Sequence, residues 1–213
     1  MTDIEILNQL TETFGEQIVV TEKLPKTYCP GGIEAVKAIY LGCDPTNTAK
    51  NFQFEHAFSH GCADKGFGRF RETHLKQLNA IGLSWDKVYT QNLCRNYFRE
   101  ETSKNKIWKQ AAEFWIPILK EELDRLFNVN IPVLLTSQLL LDMLLKVDKR
   151  PTRYDAIEFY EGRTAIPVPA DENKLGRPLI PVYRGRNGRT KISYELKNFE
   201  AYGDEIKRYL NQL

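Results

Sequence analysis

The sequence lacks the features of a membrane-spanning or exported protein. No apolar run in its 213 residues approaches the roughly 20 residues that a membrane-spanning helix needs. The amino terminus has no basic start followed by an apolar stretch, so we expect no secretory signal. Cysteine is scarce, and no two cysteines form a Cys-x-x-Cys pair; they stand at positions 29, 43, 62 and 94. These absences predict free thiols and a cytoplasmic location.

The chain also lacks an excess of charge of either sign. Thirty basic residues face 28 acidic ones, for a formal net charge of +2. This balance excludes a uniformly basic, histone-like protein, but it allows a local basic surface. Hydrophobic residues make up 42% of the chain, as in ordinary globular proteins, and no repeat or low-complexity linker divides it. We therefore expect residues 1–213 to form a single domain that acts as a monomer.

Several common cofactor motifs are missing as well. Neither GxxxxGK[ST] nor a strand followed by GxGxxG occurs, which excludes typical nucleotide hydrolases, kinases and dehydrogenases. His56 and His60 have the spacing of zinc ligands on a helix, but Ala57 stands where zinc proteases have glutamate. The cysteine spacing does not fit an iron–sulfur cluster. No metal and no cofactor is expected.

What the chain does have is an alternation of short apolar segments with amphipathic ones. The short segments predict buried strands at residues 36–41, 88–93, 131–136 and 179–183. The amphipathic segments predict helices at residues 2–14, 71–81, 106–127, 138–145 and from 193 or 194 to the end. Pro117 should bend or split the third helix, and Phe159 and Tyr160 suggest a peripheral strand. The alternation predicts a three-layer α/β/α fold around a central four-stranded parallel sheet.

Ligands of such sheets bind beyond the carboxyl ends of the strands. The first strand leads into Gly42-Cys43-Asp44-Pro45, which presents a carboxylate before a stiff turn. Asp44 is a candidate general base or stabiliser of positive charge, although an aspartate here often bonds only to its own turn. Cys43 is a weak candidate nucleophile, because the sequence shows no histidine partnered with it.

Two further groups follow other strands of the predicted sheet. Asn92 ends the second strand, and its amide can donate and accept at once, which suits the edge of a nucleobase. The alternative is a structural amide that ties neighbouring loops together. After the last strand comes a glycine-containing cationic loop that suits phosphate contacts or is simply solvated; its charged residues are Arg184, Arg186, Arg189 and Lys191.

Taken in order, these segments resemble the uracil-DNA glycosylase superfamily. Gly42-Cys43-Asp44-Pro45 is similar to the family's Gly-Gln-Asp-Pro motif, and Phe58 lies where the family has an aromatic that stacks on the base. The strand ending in Asn92 resembles the base-reading strand, and residues 179–183 resemble the strand before the family's histidine loop. The resemblance spans roughly residues 36 to 210 and rests on order and spacing, since no single motif is specific.

The resemblance implies a DNA-repair enzyme that removes a deaminated base. The base would be flipped from the helix, stacked on Phe58 and read by Asn92, with Gly42, Cys43 and Pro45 lining the site. Asp44 would orient a water or shield the positively charged sugar as the N-glycosidic bond breaks. The partner would be DNA, gripped through Arg184, Arg186, Arg189 and Lys191.

The sequence departs from the family pattern at two positions. Arg184 stands where the loop histidine is expected, and it would stabilise a departing base anion without donating a proton. Thr46 follows the motif proline where some branches have Tyr or Gly, so rejection of thymine is not fixed. A catalytically inactive nucleic-acid-binding relative is therefore one alternative function. A small-molecule N-glycoside hydrolase is another, which the cationic loop disfavours because a free nucleoside has no phosphates to neutralise.

Overall fold

The computed structural model describes residues 2–45, 53–146, 156–183 and 199–213. Its helices in chain order are α1 (Asp3–Phe14), α2 (Lys65–Ala80), α3 (Trp108–Leu126), α4 (Gln138–Leu144), α5 (Ala156–Tyr160) and α6 (Phe199–Leu210). Its strands are β1 (Ile18–Val19), β2 (Ala38–Gly42), β3 (Val88–Asn92), β4 (Tyr97–Phe98), β5 (Val133–Leu135) and β6 (Leu179–Pro181).

Four strands form one parallel sheet in the order β3-β2-β5-β6. Strand β2 pairs with β3 on one side, with Gly42 opposite Asn92, and with β5 on the other, with Leu41 opposite Leu135. The chain thus moves outward from β2 to β3 and then crosses to the other side of β2. Such a reversal opens a crevice at the carboxyl ends of the strands that flank it, here β2 and β5.

Helices cover both faces of this sheet. Tyr40 of β2 reaches α2, where its hydroxyl lies 2.5 Å from Nδ1 of His74. Tyr89 of β3 points to the opposite face, since its in-register neighbour is Ile39, and its hydroxyl donates to Glu122 of α3. The predicted α/β architecture with a four-stranded parallel sheet is confirmed, and the helices on both faces are consistent with three layers. All strands of this sheet are fully buried, as their short apolar segments predict.

The exit of β6 is held by side chains from three helices. Gln77 of α2 donates its amide to the carbonyl of Val182. The Tyr160 hydroxyl of α5 accepts from the Tyr183 amide at 2.9 Å, and the Tyr202 hydroxyl of α6 donates to the Pro181 carbonyl at 2.7 Å. The chain therefore leaves the sheet from a well-anchored point.

The amino-terminal helix begins as its sequence predicts. Thr2 accepts a hydrogen bond from the Glu5 amide, and the Glu5 carboxylate accepts one from the Thr2 amide, which completes a capping box. After this helix, β1 pairs with β4 in a two-stranded antiparallel sheet that the sequence does not predict. Strands of two residues are too short for an alternating pattern to reveal.

Three sequence expectations need correction. Helix α2 begins at Lys65 rather than near residue 71, because Asp64 caps it by accepting from the Gly66 amide and the helix tolerates two early glycines. The segment with Phe159 and Tyr160 is a helix, not a peripheral strand, and Tyr160 packs its ring against those of Phe199 and Tyr202. Pro117 does not split α3, which runs from Trp108 to Leu126 as one helix.

Other boundaries differ by a few residues or fall outside the described chain. The four predicted strands are each present, with ends shifted by up to two residues, as is usual at element ends. The last helix is described from Phe199 onward, and its predicted start at residue 193 or 194 lies outside the described residues. Within the residues described, no helix combines the length and the apolar character needed to cross a bilayer. All four cysteines are free thiols.

Candidate functional site

Beside the crevice between β2 and β5, direct hydrogen bonds link the ends of the two strands. Thr136 donates both its amide, at 3.2 Å, and its hydroxyl, at 2.9 Å, to the carbonyl of Leu41. Beyond the strand ends, the Cys43 thiol lies 3.0 Å from the Ser137 hydroxyl, which also caps α4. These bonds fix the path of residues 42–44 as they leave the sheet.

Asp44 is held in one orientation by two side chains from the α3 side of the sheet. The Thr102 hydroxyl donates to its Oδ1 at 2.5 Å, and the Trp108 indole nitrogen donates to the same oxygen at 2.9 Å. Trp108 itself is 1% exposed, so this donor belongs to the rigid core. Two donors on one oxygen orient the half-buried carboxylate, which makes Asp44 more than a residue that serves only its own turn.

Asn92 lies at the same edge, one strand away. Its backbone amide bonds to the Gln91 side chain at 2.9 Å, which fixes the strand end. The residue is 4% exposed, yet its side-chain amide forms no hydrogen bond with any residue that the structure describes. The alternative role, an amide that ties loops together, is therefore not what the geometry shows. Because this amide has no partner among the described residues, its donor and acceptor are available to a ligand at the sheet edge.

Gly42, Phe58 and Asn92, which we call the Asn92 site, are in close contact. A methyl group at Gly42 would lie 2.4 Å from Oδ1 of Asn92 and 2.8 Å from Cζ of Phe58. Both distances are shorter than any real Cβ contact, so only glycine leaves room here for the amide and the ring. The sequence prediction that these three residues meet is consistent with this geometry.

The ring of Phe58 is placed by an aromatic cluster on the α2 side of the sheet. It packs edge-on against His74 with 5.0 Å between ring centroids, and it lies 5.2 Å from Tyr40 and 6.3 Å from Trp85. Phe58 is 7% exposed, so most of the ring is a wall rather than a mobile flap. Such aromatic contacts fix the plane of the ring as well as its position.

The backbone at this ring is strained. Phe58 and Ser59 have φ angles of 55° and 57°, in the left-handed region that costs a non-glycine residue about 1–2 kcal/mol. The Ser59 hydroxyl bonds to the Phe58 carbonyl at 2.6 Å, and the guanidinium of Arg71 donates to the carbonyls of Ser59, at 2.6 Å, and Cys62, at 2.8 Å. Strain of this kind persists where surrounding contacts hold it, often at functional sites.

His60 supports the outer side of the same turn. Its ring stacks on Tyr28 at 3.6 Å between centroids and meets Trp85 edge-on at 4.5 Å. Burial, with a smaller effect of the nearby Arg71 charge, lowers the pKa of His60 to about 4. The ring is therefore neutral at pH 7 and acts in packing, and its Nε2 has no partner among the described residues.

The thiol of Cys43 is not activated. Burial raises its pKa to about 12, an effect that the Ser137 hydrogen bond only partly offsets. A protonated thiol is a poor nucleophile, so covalent catalysis by Cys43 is disfavoured. Its contribution to the site is a weak hydrogen-bonding group beside Asp44.

The structure thus brings together most of the residues that the sequence singled out. Asp44 and the Asn92 site lie at the same edge of the sheet, because Gly42 is opposite Asn92 and Asp44 follows Gly42 by two residues. Cys43 is half-buried and Pro45 is buried. The four cationic residues Arg184, Arg186, Arg189 and Lys191 lie outside the described residues, as does Thr46. Tyr183, the last described residue before them, is at the same edge of the sheet.

Three functional contacts could not be expected from the sequence. Thr102 and Trp108 orient Asp44 from 58 and 64 residues away, and Arg71 holds the Phe58 turn from α2. Trp108 is a core residue, yet its indole nitrogen also donates to Asp44. No local pattern signals such contacts, because each donor belongs to an ordinary amphipathic helix or loop.

Comparison with protein-family models and with curated proteins finds no match to this chain.

Proposed function

We propose that this protein is a DNA glycosylase with a fold of the uracil-DNA glycosylase type, which hydrolyses the N-glycosidic bond of a flipped, deaminated base such as uracil. One observation carries the proposal: the side-chain amide of Asn92, which bonds to no described residue, lies near a fixed aromatic ring at the sheet edge that also bears an oriented carboxylate. An amide, an aromatic wall and a carboxylate are what removal of a nucleobase requires.

The Asn92 site is suited to the base itself. Uracil presents a carbonyl oxygen and an N–H on its Watson–Crick edge, which an amide can satisfy with one donor and one acceptor. Phe58 offers a ring against which a planar base can lie, and base–aromatic stacking is worth about 1–3 kcal/mol. A base inside the double helix cannot reach a site this buried, so the nucleotide must be flipped out.

Asp44 is suited to the step that breaks the bond. As the bond between the sugar C1′ and the base nitrogen breaks, its electron pair leaves with the base and positive charge develops on the sugar. Asp44, oriented by Trp108 and Thr102, would stabilise that charge and orient the water that adds to C1′. The water's second proton is then free to neutralise the departing base.

The DNA partner is proposed from the cationic loop that follows Tyr183. Its three arginines and one lysine would contact phosphates on either side of the flipped nucleotide. The anchored exit of β6 starts this loop at the same edge as Asp44. Arg184, in place of a histidine, would stabilise the base anion by its charge.

The test is release of base from a labelled oligonucleotide that contains one uracil, in single- and double-stranded form. Hypoxanthine and xanthine substrates are assayed alongside. Wild type is compared with Asp44→Asn, which keeps the shape and removes the charge. Asp142→Asn, an exposed position on α4, is the matched control.

We expect wild type and Asp142→Asn to release the base, and Asp44→Asn to be slower by about 10²–10⁴-fold, as for loss of a positioned catalytic carboxylate. Salt-sensitive DNA binding without release from any substrate would instead support the inactive relative. Release from free nucleosides but not from DNA would support the small-molecule hydrolase.

A further inference from the structure

The left-handed turn at Phe58 and Ser59 needs an external support. Two consecutive non-glycine residues with positive φ rarely form a turn by themselves, because each Cβ crowds its own backbone. The bonds within the turn are few: the Ser59 hydroxyl to the Phe58 carbonyl at 2.6 Å, the His60 amide to the Ala57 carbonyl at 3.3 Å, and the Cys62 amide to the Ser59 carbonyl at 3.1 Å. None of these bonds connects the turn to a helix of the core.

Arg71 provides that connection. It projects from the second turn of α2, and its two terminal nitrogens donate to different carbonyls, those of Ser59 and Cys62. The guanidinium is a planar fork, so it can hold both carbonyls at once and thereby fix the orientation of the peptide after Phe58. No described residue other than Arg71 bonds a side chain to both ends of this turn.

The position of the turn matters because the Phe58 ring has little freedom at its other end. The ring edge lies in the space that a side chain at Gly42 would fill, and Oδ1 of Asn92 borders the same space. A small rotation of the turn would move the ring into Asn92 or away from it. The width of the gap between ring and amide therefore depends on where Arg71 holds the backbone.

We infer that Arg71 is a positioning residue that sets the affinity of the Asn92 site for an extruded base, by holding the Phe58 turn in its left-handed conformation. The inference rests on the proposed function for the identity of the ligand. Arg71 itself touches neither the base nor the sugar.

The test measures binding rather than turnover. The probe is a duplex with one uracil whose sugar carries a 2′-fluoro group, which prevents bond cleavage by destabilising the positive charge on the sugar. Its dissociation constant is compared with that of the same duplex with thymine. The ratio of the two constants reports recognition of the base, and general DNA binding cancels from it.

Five variants are compared with wild type, of which the fifth, Arg71→Met/Ser59→Gly, tests whether relief of the strain restores binding. Arg71→Met keeps the apolar stem and removes both donors, and Phe58→Leu removes the aromatic wall. The double variant Arg71→Met/Phe58→Leu tests whether the two residues act as a unit. Arg69→Met, an exposed position on the same helix whose side chain makes no described bond, is the matched control.

We expect Arg71→Met and Phe58→Leu each to lower the ratio by about tenfold, as for loss of one stacked base. The double variant should be no worse than either single variant, because the arginine acts only through the ring. Arg69→Met should match wild type. Adding Ser59→Gly to Arg71→Met should restore part of the ratio, since glycine adopts positive φ without strain.

The outcomes separate this inference from the proposed function. If wild type does not prefer the uracil duplex, the proposed function fails and the inference with it. If wild type prefers uracil and Arg71→Met does so equally, or if the losses in the double variant add, only the role of Arg71 is overturned. A loss that Ser59→Gly does not restore at all would equally overturn it, because general destabilisation would then be the cause.

Discussion

The two ends of the parallel sheet treat their buried polar groups in opposite ways. At the amino end, before β6, Arg177 is fully buried and Asn173 is 2% exposed, and both side chains are engaged in several hydrogen bonds. At the carboxyl end, Asn92 is also buried, and its side-chain amide bonds to no described residue. The buried side chains at the amino end stabilise the fold through hydrogen bonds, whereas the Asn92 side chain retains donors and an acceptor that a ligand could use.

The amino end shows how a buried charge is satisfied in this fold. Arg177 donates through its two terminal nitrogens to the carbonyls of Leu123, Phe127 and Asn128 and to the carboxylate of Asp124, and so caps the carboxyl terminus of α3. Its positive charge also lies at the negative end of that helix. The side-chain amide of Asn92 has no comparable set of partners among the described residues.

The largest expected effect is at the amino end. Arg177→Met leaves three carbonyls and a carboxylate without their buried donor, so we expect the free energy of unfolding to fall by about 3–5 kcal/mol. Arg163→Met, whose ion pairs with Glu158 and Glu161 are half exposed, should cost no more than about 1 kcal/mol. Urea denaturation measures both; equal losses would contradict the role given to Arg177.

The sharpest comparison uses the same substitution at both ends. The Asn173 amide makes four hydrogen bonds, to Pro169, Leu175, Gly176 and Arg177, so Asn173→Leu should destabilise the protein by about 3 kcal/mol. Asn92→Leu removes an unbonded amide and should leave stability unchanged or raise it by up to about 1 kcal/mol. Base release should show the opposite pattern: it should be lost in Asn92→Leu and retained in Asn173→Leu. Similar melting temperatures for the two variants would contradict the difference in stability that we expect between the Asn173 and Asn92 amides.

Gly42→Ala tests how closely the Asn92 site is packed. The added methyl would overlap Asn92 and Phe58, so we expect uracil release to fall by about 100-fold, with a stability loss of about 1–3 kcal/mol. Gly68→Ala on α2 has no atom within 4 Å of its new methyl and should instead stabilise the helix by about 0.5–1 kcal/mol. Single-turnover kinetics beside thermal melting distinguishes the two effects.

The smallest expected effect concerns pH. The pKa of His60 is lowered from 6.5 to about 4 in the folded protein, so the unfolded chain takes up a proton there first. Stability should therefore fall as pH drops from about 6.5 towards 4, by roughly 1–3 kcal/mol from this group. His60→Phe should flatten that part of the profile of urea midpoints against pH. An unchanged slope would show that other groups dominate.

The sheet could be predicted from the sequence because each strand is a short apolar segment between turn residues. The location of Asp44 and Asn92 at one edge could also be predicted, since the carboxyl ends of parallel strands meet at a common edge. The helical state of Phe159 and Tyr160 did not follow, because two aromatic residues suit either state and tertiary contact with α6 decides. The early start of α2 was missed because Gly66 and Gly68 resemble a loop locally.

Of the site, the sequence revealed the residues that end strands but not those that support them. Trp108, Thr102 and Arg71 act through contacts across many residues, and their positions depend on how α2 and α3 pack on the sheet. Nor does a sequence indicate that Phe58 and Ser59 have positive φ angles, since neither residue is a glycine. Such features arise from tertiary packing.

The pairing of Gly42 with Asn92 has a consequence for how this protein can change over time. A loop can gain or lose residues without disturbing the core, but an insertion in β3 would place a different side chain opposite the glycine and turn the amide to the other face. The register of β2 and β3 thus determines whether the Asn92 amide faces the Asn92 site. Outside the Phe58 turn and the cationic loop, we therefore expect loops to tolerate changes in length that β2 and β3 do not.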